Sequence, residues 1–376
     1  MADVKNVMGV SADDIKSIMG VAVDDIKSVV GLDWPASGPA WAGSRAFYMG
    51  GWYYSSVGTL TNSNHIQYKT MTTDGNMDDF GDLTKAVHNF KGSGSNKVRV
   101  LRGGGDANTE AQNVDQVTID YFTAASETDA SDAGDLDTGG NRGGPNGASN
   151  GTLCLFMGGD SYPGSGSGTY SRDQIDYQNI GTTGGASGGG TLTAASYGHE
   201  SSNGDTKSLI LSINTNAQGI ADSAIDQHDF STDGNATDYG SLVKRKGVGY
   251  GTGIMCSTTR VVFGGGYDSS YAKHDEVHYV PVASSSDSTD AMDLVRAASQ
   301  LCGTSDGTRG EIYGGNSEDG GAGSANFNRN TIQKFTLASL SGTASDIGDL
   351  ANEDNSSATD YSEAGGVGWG GAQTAL

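Results

Sequence analysis

The sequence predicts an all-β fold, a six-bladed β-propeller of four-stranded blades, and three observations lead to this prediction. The composition combines 60 glycines with only 5 prolines, and 35% of the 376 residues are hydrophobic. Two short apolar patterns recur six times at nearly constant spacing. A strand pattern that ends in glycines recurs with them. Repeats of about 50 residues with four short strands each are typical of propeller blades.

The first recurring pattern centres on an apolar residue in a strand-like segment, as in HIQYKTM, TIDYFTA and EVHYVPV. Successive copies lie 53, 56, 50, 52 and 55 residues apart. A leucine that ends a GDL-like segment follows each apolar residue by 17 positions, or by 18 in the last copy. This regularity indicates six structural units. The apolar residues and their leucines are Ile66 and Leu83, Ile119 and Leu136, Ile175 and Leu192, Ile225 and Leu242, Val277 and Leu294, and Ile332 and Leu350.

The remaining two strands of each unit come from a glycine-terminated segment and the small residues before it. The segments RAFYMGG, VRVLRGGG, LCLFMGG, RVVFGGG and EIYGG share this pattern, whereas the fourth unit, LILSIN, keeps the strand and lacks the glycines. Glycine at these positions lets neighbouring backbones approach closely. A small-residue stretch such as GVGYGTGIMCS precedes the glycine strand and predicts the fourth strand.

The first unit lacks such a small-residue strand. The residues before it, DWPASGPAWAG, contain two prolines, which cannot donate to a strand ladder. The segment GVGWGGAQ (366 to 373) closely matches GVGYGTGI (247 to 254). We therefore predict that the C-terminal strand, with Val367 and Trp369, closes the ring beside residues 44 to 49, after a polar loop over residues 351 to 363.

The first 33 residues contain three copies of an 11-residue repeat, marked by Gly9, Gly20 and Gly31. Apolar residues at i, i+3 and i+4 predict three short helices that end at these glycines. Such short helices are marginal alone and need a surface, either the protein's own body or another protein. We predict a docking arm over residues 1 to 33, a linker over 34 to 43 and the propeller over 44 to 376. The apolar residues of the arm are Val4, Val7, Met8, Ile15, Ile18, Met19, Ile26, Val29 and Val30.

Charge and hydropathy exclude several classes of partner. The net charge of −23, from 45 acids against 22 bases, opposes binding to nucleic acid or anionic lipid, and Lys244-Arg245-Lys246 is the only basic run. No apolar run approaches the roughly 18 residues of a membrane span, and the N-terminus lacks the pattern of a secretion signal. We expect a protein made in a cytoplasm, without insertion into a membrane.

The repeats resemble two groups of known proteins. Their Gly-Gly strand ends resemble kelch-like propeller repeats. The segment NTIQKFTLASLSGTASDIGDL (330 to 350) is similar to repeats of tail and other virion proteins of bacteriophages, especially marine ones. The resemblance covers about residues 44 to 372, although the second, third and fourth units depart from the pattern. It implies a structural or host-contact protein on a virus particle, on its tail fibre, neck or capsid, anchored to other virion proteins through the arm.

The residues that catalysis would use are sparse. Of the six histidines only His274 and His278 lie close, and on the strand predicted there they are about 13 Å apart, too far for one ion. Three cysteines, Cys154, Cys256 and Cys302, suit buried free thiols better than a disulfide framework. We expect no catalytic residues, no transition metal and no enzyme activity.

Two segments could bind a ligand, one a calcium ion and the other a sugar. Asp74, Asn76 and Asp78 alternate in DGNMD as calcium ligands do, but the rest of a calcium loop is absent, so a turn is the favoured interpretation. We expect no cofactor, with calcium at this turn as the alternative. The aromatic segment FYMGGWYY (47 to 54) fits strand core better than sugar stacking. The main functional hypothesis is therefore a virion structural protein with a possible host glycan or receptor as partner. The alternatives are a secreted or cell-surface carbohydrate-binding propeller, which should carry an export signal, and a propeller enzyme.

Overall fold

The chain divides into two compact units, Met1–Ala42 and Gly43–Leu376. The computed structural model describes short parts of the first unit and most of the second. The described residues are 6–7, 10–11, 17–18, 21–22, 28–29, 32–33, 45–54, 60–88, 92–96, 98–109, 112–137, 142–161, 170–196, 200–204, 206–211, 223–243, 253–257, 259–266, 272–318, 326–328, 330–351 and 365–369.

The second unit is an all-β propeller of six blades, each an antiparallel sheet of four main strands, as predicted. No helix occurs among the described residues, and hence none that could span a membrane. From the inner to the outer strand, the blades are: blade 1, Gly365–Trp369, Arg45–Met49, His65–Thr70 and Asp78–Asp82; blade 2, Ser93–Ser95, Arg99–Gly103, Thr118–Thr123 and Ser131–Asp135; blade 3, Asn146–Ser149, Leu153–Met157, Tyr170–Asn179 and Ser187–Ser196; blade 4, Glu200–Ser201, Lys207–Leu211, Ala224–Asp229 and Thr237–Ser241; blade 5, Gly253–Cys256, Arg260–Gly264, Glu276–Pro281 and Thr289–Asp293; blade 6, Cys302–Ser305, Arg309–Tyr313, Thr331–Thr336 and Ser345–Asp349.

The core lies between neighbouring blades, where the second and third strands pack their apolar residues. The six repeated apolar residues are completely buried, and the six repeated leucines are at most 7% exposed, which confirms the repeat as the source of the core. One apolar cluster joins blades 4 and 5 through Leu209, Val261 and Phe263. The outer strands begin with two exposed residues and in blades 1 to 4 bury the third residue, as at Phe80 and Tyr239, because they pack against the core on one face only.

The inner strands contain small residues because they pack directly against one another. A Cβ atom at Gly147 of blade 3 would lie 2.1 Å from the backbone nitrogen of Ser93 in blade 2. The Ser149 hydroxyl donates to the Ser95 carbonyl and accepts from its N–H, at 3.2 Å in both cases. The predicted small-residue strands therefore line the inside of the ring, where larger side chains have no room.

The two faces of the ring differ in their connections. Each link from the third to the outer strand has seven residues in five blades and eight in blade 6, and we call this side the turn face; its links are residues 71–77, 124–130, 180–186, 230–236, 282–288 and 337–344. Links from the second to the third strand, on the loop face, are longer, and in every blade except blade 4 they start at a glycine pair. They carry extra short strands: Trp52–Tyr54, Leu60–Asn62, Asp106–Thr109, Gln112–Asp115, Asp160–Ser161, Asn316–Glu318 and Asn326–Asn328. A further short strand, Ala298–Ser299, pairs with Asn316–Glu318.

The N-terminal unit differs from the predicted helices. Its described residues form three antiparallel pairs: Asn6–Val7 with Val10–Ser11, Ser17–Ile18 with Val21–Ala22, and Ser28–Val29 with Leu32–Asp33. The helical prediction is therefore wrong at Val7, Ile18 and Val29. Each pairing leaves two residues between partners, and glycine in a two-residue link favours a hairpin as much as a helix end. The arm residues Val4, Met8, Ile15, Met19, Ile26 and Val30 lie outside the described residues.

The C-terminal strand Gly365–Trp369 lies in the sheet of blade 1. It pairs antiparallel with Arg45–Met49, with Val367 opposite Phe47 and Trp369 opposite Arg45. Its side chains lie outside the described parts, as do residues 352 to 364. That this strand closes and stabilises the ring stays a prediction.

Candidate functional site

The predicted calcium residues lie at the interface between blades 6 and 1. We call each interface between two neighbouring blades a seam. Asp74 belongs to the turn of blade 1, and its carboxylate pairs with Lys334 Nζ and Arg309 Nη2 of blade 6, each at 2.9 Å. These contacts hold the pKa of Asp74 below its usual range, with the Lys334 hydrogen bond as the main cause. The Asn76 side-chain oxygen accepts the Asp349 N–H at 3.0 Å, and Asp78 begins the outer strand of its blade. The structure thus gives Asp74 and Asn76 protein partners across a seam, and calcium binding stays an untested prediction.

A buried carboxylate, Glu311 of blade 6, organises the interior of the same seam. Its Oε1 atom accepts from Lys69 Nζ of blade 1 at 2.8 Å and from Arg309 Nε at 2.7 Å, and its Oε2 atom accepts from the Tyr313 hydroxyl. Glu311 and Tyr313 are completely buried, and Lys69 is 4% exposed. Burial lowers the pKa of Lys69 against the opposing effect of Glu311, and burial raises the pKa of Tyr313. The group forms one ionic network across two blades.

The seams share a first repeated contact, between the outer strand of one blade and the turn of the next. In this contact the carbonyl that follows the GDL glycine, or its equivalent, accepts an N–H from the neighbouring turn at 2.7 to 3.0 Å. The contact runs around all six seams, from blade 6 back to blade 1 included. The acceptor and donor pairs are Asp82 and Ala130, Asp135 and Ala186, Thr191 and Ala236, Ser241 and Ser288, Asp293 and Ala344, and Asp349 and Met77.

The glycine of the GDL segment lies against the neighbouring turn in the seams of blades 6 and 1 and of blades 1 and 2, whereas blade 5 makes the same backbone contact with Met292 at this position. Gly348 has φ +154°, and a Cβ atom there would lie 2.5 Å from the backbone of Gly75. Gly81 has φ +148°, and a Cβ atom there would lie 2.8 Å from the backbone of Thr128. Backbone of this kind is open almost only to glycine. The recurring glycine therefore serves the seam as well as the strand.

A second repeated contact uses the polar residue that directly follows the buried apolar residue of the third strand. This side chain faces the preceding blade and is at most 5% exposed in all six copies: Gln67, Asp120, Asp176, Asp226, His278 and Gln333. In most seams it accepts from the residue after the repeated leucine. The acceptor and donor pairs are Gln67 and Ala351, Asp120 and Thr84, Asp176 and Asp137, Asp226 and Thr193, and Gln333 and Val295.

The seam between blades 4 and 5 departs from this pattern. The residue after its leucine, Val243, donates instead to the Ser288 hydroxyl at 2.9 Å. His278 stacks on Phe263, with ring centroids 5.8 Å apart.

Two of the buried carboxylates are paired with buried arginines. Asp120 lies 3.4 Å from Arg102, and Asp176 lies 2.7 Å from Arg142. Burial lowers the pKa of Arg102 to about 10 and raises the pKa of Asp176 to about 6, in each case against the effect of the partner charge. These charges lie inside the protein body and not on a face that a ligand could reach.

Sequence reasoning missed these polar residues. Their signal is present, since every copy of the strand places a Gln, Asp or His directly after its core residue, as in HIQ, TID and EVH. In a strand with one buried face that position should face solvent. A polar residue at that position was therefore expected to be exposed to solvent. In the structure, however, both faces of the third strand are covered by neighbouring blades.

The cysteines and histidines lie as expected for structural residues. Cys154, Cys256 and Cys302 are free and buried, which confirms the prediction, and burial raises the pKa of the Cys154 and Cys256 thiols. Burial lowers the pKa of His88 to about 3, so this side chain is neutral at pH 7. His278 lies in the strand Glu276–Pro281, as predicted, whereas His274, which was predicted on the same strand, lies before it. Among the described residues no group of three or more His, Cys, Asp or Glu could hold a metal ion.

The aromatic segment 47 to 54 divides between core and surface elements. Phe47 and Tyr48 are buried strand residues, as predicted. Trp52–Tyr54 instead forms a hairpin with Leu60–Asn62 on the loop face. The Asn62 side chain donates to the carbonyl of Asp106 in the neighbouring blade at 3.3 Å. The loop face is thus where variable segments of successive blades meet.

No protein-family model matches the chain, and no curated protein sequence matches it. Among solved structures, the chain is similar to the structure of YjhT, with a TM-score of 0.54 and 11% sequence identity. The match covers 66% of this chain and 82% of YjhT. At this identity the likeness supports the six-bladed propeller fold alone.

Proposed function

We propose that the protein is a structural component of a bacteriophage virion that displays a rigid propeller on the particle surface. The observation that carries this proposal is the use of buried polar groups. The buried polar side chains of the third strands bind the neighbouring blade or the segment that connects two blades, and the Glu311 network joins blade 6 to blade 1. This distribution suits a scaffold. The residues 330 to 350, which resemble virion repeats, supply part of the seam between blades 6 and 1.

The proposal assigns anchoring to the N-terminal arm. Its three 11-residue repeats each contain an antiparallel strand pair with apolar residues, as at Val7 and Val10. Units this small bury little apolar surface by themselves and gain stability from a partner. Other virion proteins are the proposed partners, and the host surface is the proposed target of the propeller.

We also propose that the C-terminal strand closes the ring. Its pairing with Arg45–Met49 supports this role, as do its contacts with the inner strands of blades 2 and 6. Removing residues 364 to 376 should lower the urea midpoint of unfolding sharply and broaden the transition, because blade 1 would lose its inner strand. Replacing Ser356 and Ser357 by glycine in the preceding segment is the matched control. Equal midpoints for the two variants would contradict closure.

Imaging of particles tests the function directly. A chain tagged after residue 376 should appear at a fixed surface position on purified phage particles. Deleting residues 1 to 33 should leave a folded propeller, checked by circular dichroism, that no longer enters particles. Absence of the full-length chain from particles would refute the proposal, and unfolding of the truncated chain would refute the docking arm alone.

A carbohydrate-binding propeller is the second candidate, and the loop-face hairpin Trp52–Tyr54 favours it. Trp and Tyr are the residue types that stack on sugar rings. Glycan-array binding that is lost with Trp52→Ala and kept with Trp41→Ala would favour this function. If the wild-type protein binds no glycan, the carbohydrate-binding candidate is rejected and the virion structural proposal remains.

A further inference from the structure

The seam between blades 2 and 3 contains a carboxylate in an unusual setting. Asp176 is completely buried, and its Oδ2 atom accepts from Arg142 Nη1 at 2.7 Å. Its Oδ1 atom is buried and has no hydrogen-bond partner in the described part of the chain. A buried carboxylate oxygen without a partner disfavours the ionised form. The setting therefore favours proton uptake by Asp176.

Arg142 connects this carboxylate to the segment that joins the two blades. Its N–H donates to the Gln116 carbonyl at 3.2 Å, and its carbonyl accepts from the Gly105 N–H at 3.0 Å, both in blade 2. Its side chain also donates to the Gln174 carbonyl in blade 3 at 2.8 Å. Any opening of the seam must therefore disturb the Arg142 segment and expose Asp176.

The charged groups around Asp176 and Arg142 shift the pKa values of these two side chains in both directions. Arg142 and the N–H of Asp137 favour ionised Asp176, whereas the Asp137 charge disfavours it. Arg172 and Asp173, on the strand of Asp176, act in opposite senses on Arg142. Burial outweighs these effects and raises the pKa of Asp176 to about 6.

We propose that the seam between blades 2 and 3 is a proton-responsive joint, in which Asp176 binds a proton while the seam is closed and releases it when the seam opens. Opening returns the carboxyl to water, where its pKa is about 3.9. The closed state then binds more protons between about pH 4 and pH 6, so falling pH favours closure over this range. Mild acid tightens the joint, and neutral pH loosens it. This property is independent of the proposed role in a virion.

Two seams have glutamine in place of Asp176, and one of them supplies an internal control. Gln333 and Gln67 accept the corresponding N–H groups, from Val295 at 2.8 Å and from Ala351 at 2.8 Å. These amides do not titrate, so the seam between blades 5 and 6 should lack this response. The seam between blades 6 and 1 contains other titrating groups, Asp74 and Lys69, and is not a control. The chain thus contains the joint and its non-titrating counterpart at the same structural position.

Amide hydrogen exchange of the full chain between pH 4 and pH 7 tests the proposal. After correction for intrinsic exchange, opening at the Gly105 and Arg142 amides should increase with pH by up to roughly a hundred-fold, the ratio set by the two pKa values. Asp176→Asn should abolish the pH dependence there, and Gln333→Glu should create one at the Val295 amide. A pH-independent opening in the wild type, or an unchanged dependence in Asp176→Asn, would overturn the joint.

A second measurement uses the wild-type protein and does not depend on whether the variants fold. The ¹³C chemical shift of the Asp176 carboxyl in the wild-type protein should titrate with a midpoint near pH 6. A midpoint below pH 4 would overturn the proposal whatever the variants do.

Discussion

Blade 1 meets its two neighbours through different chemistry. Towards blade 2 the seam is aromatic: Phe47 and Phe80 of blade 1 and Phe122 of blade 2 form a triangle of buried rings with centroids 5.1 to 5.2 Å apart. Towards blade 6 an apolar cluster that includes Tyr48 and Tyr313 is joined by a buried ionic network centred on Glu311 and Lys69, and we call this the ionic seam.

Both seams also contain the repeated backbone contact. The Ala130 N–H of blade 2 donates to the outer strand of blade 1, and the Met77 N–H of blade 1 donates to the outer strand of blade 6. The repeat therefore fixes the backbone contact and leaves the side-chain chemistry of each seam free to differ.

The largest effect is expected from Glu311→Gln in the ionic seam. Loss of the carboxylate leaves Lys69 and Arg309 beside each other without their common counter-ion. Breaking a buried ion pair in this way costs about 3–5 kcal/mol in the free energy of unfolding, measured with urea. Glu127→Gln, at the exposed edge of the aromatic seam, is the matched control and should cost less than about 1 kcal/mol. Comparable losses for the two variants would refute the distinction between the seams.

Substituting the seam glycines tests the shared backbone contact. Gly348→Ala in the ionic seam and Gly81→Ala in the aromatic seam should each lower the free energy of unfolding by about 1–3 kcal/mol, because both positions have positive φ and touch a neighbouring turn. Gly234→Ala, at a turn where no positive φ is required, is the control. A large loss in one seam only would show that the backbone contact is not equivalent.

Phe122→Leu probes the aromatic seam. Leucine keeps most of the buried apolar volume and loses the edge-to-face contacts, so a loss of about 1.5 kcal/mol is expected. The loss should be the same in low salt and in 1 M NaCl, because no charge is involved. Glu311→Gln, measured in the same two buffers, serves as the comparison, and a salt-dependent loss for Phe122→Leu would contradict the assignment.

Asp74→Asn should have the smallest effect, since its pairs with Lys334 and Arg309 lie at the surface. The pKa of Asp74 is lowered in the folded state, so its contribution is present above the unfolded pKa of about 3.9 and is lost as pH falls through the folded pKa. Urea midpoints of wild type and Asp74→Asn should therefore differ slightly at pH 7 and converge at pH 2 and in 1 M NaCl. A difference that persists in both conditions would exclude an electrostatic origin.

The repeat made the propeller predictable from sequence. A core residue such as Ile66 and a leucine such as Leu83, at fixed spacing, revealed the number of blades and the placement of their third and outer strands. The small-residue strands followed from the same register. These features were accessible because the same physical demand, burial between two neighbouring sheets, recurs six times.

The seams and the arm were not predictable by the same reasoning. Asp176 and Gln333 were invisible as seam residues because strand alternation treats a polar residue after a core residue as exposed. In the arm, Val7 and Val10 fit both a helix with a glycine end and a glycine hairpin, and periodicity over 11 residues could not separate the two. The pairing between blades and the choice of turn depend on contacts that local patterns do not encode.

The repeated backbone contact also has a direction. In this contact the preceding blade supplies the carbonyl and the following blade the N–H, as in Asp82 and Ala130, whereas the second repeated contact runs the other way, as in Ala351 N–H to Gln67. The two sides of a blade therefore differ, and every seam joins unlike surfaces head to tail. Such an interface ends only when the rotation between units returns to the start, and otherwise it continues as a chain of units. A molecule whose ring had opened would carry two different ends that are complementary to each other. Each end could then bind the complementary end of a second opened molecule, whereas a closed ring leaves neither surface free.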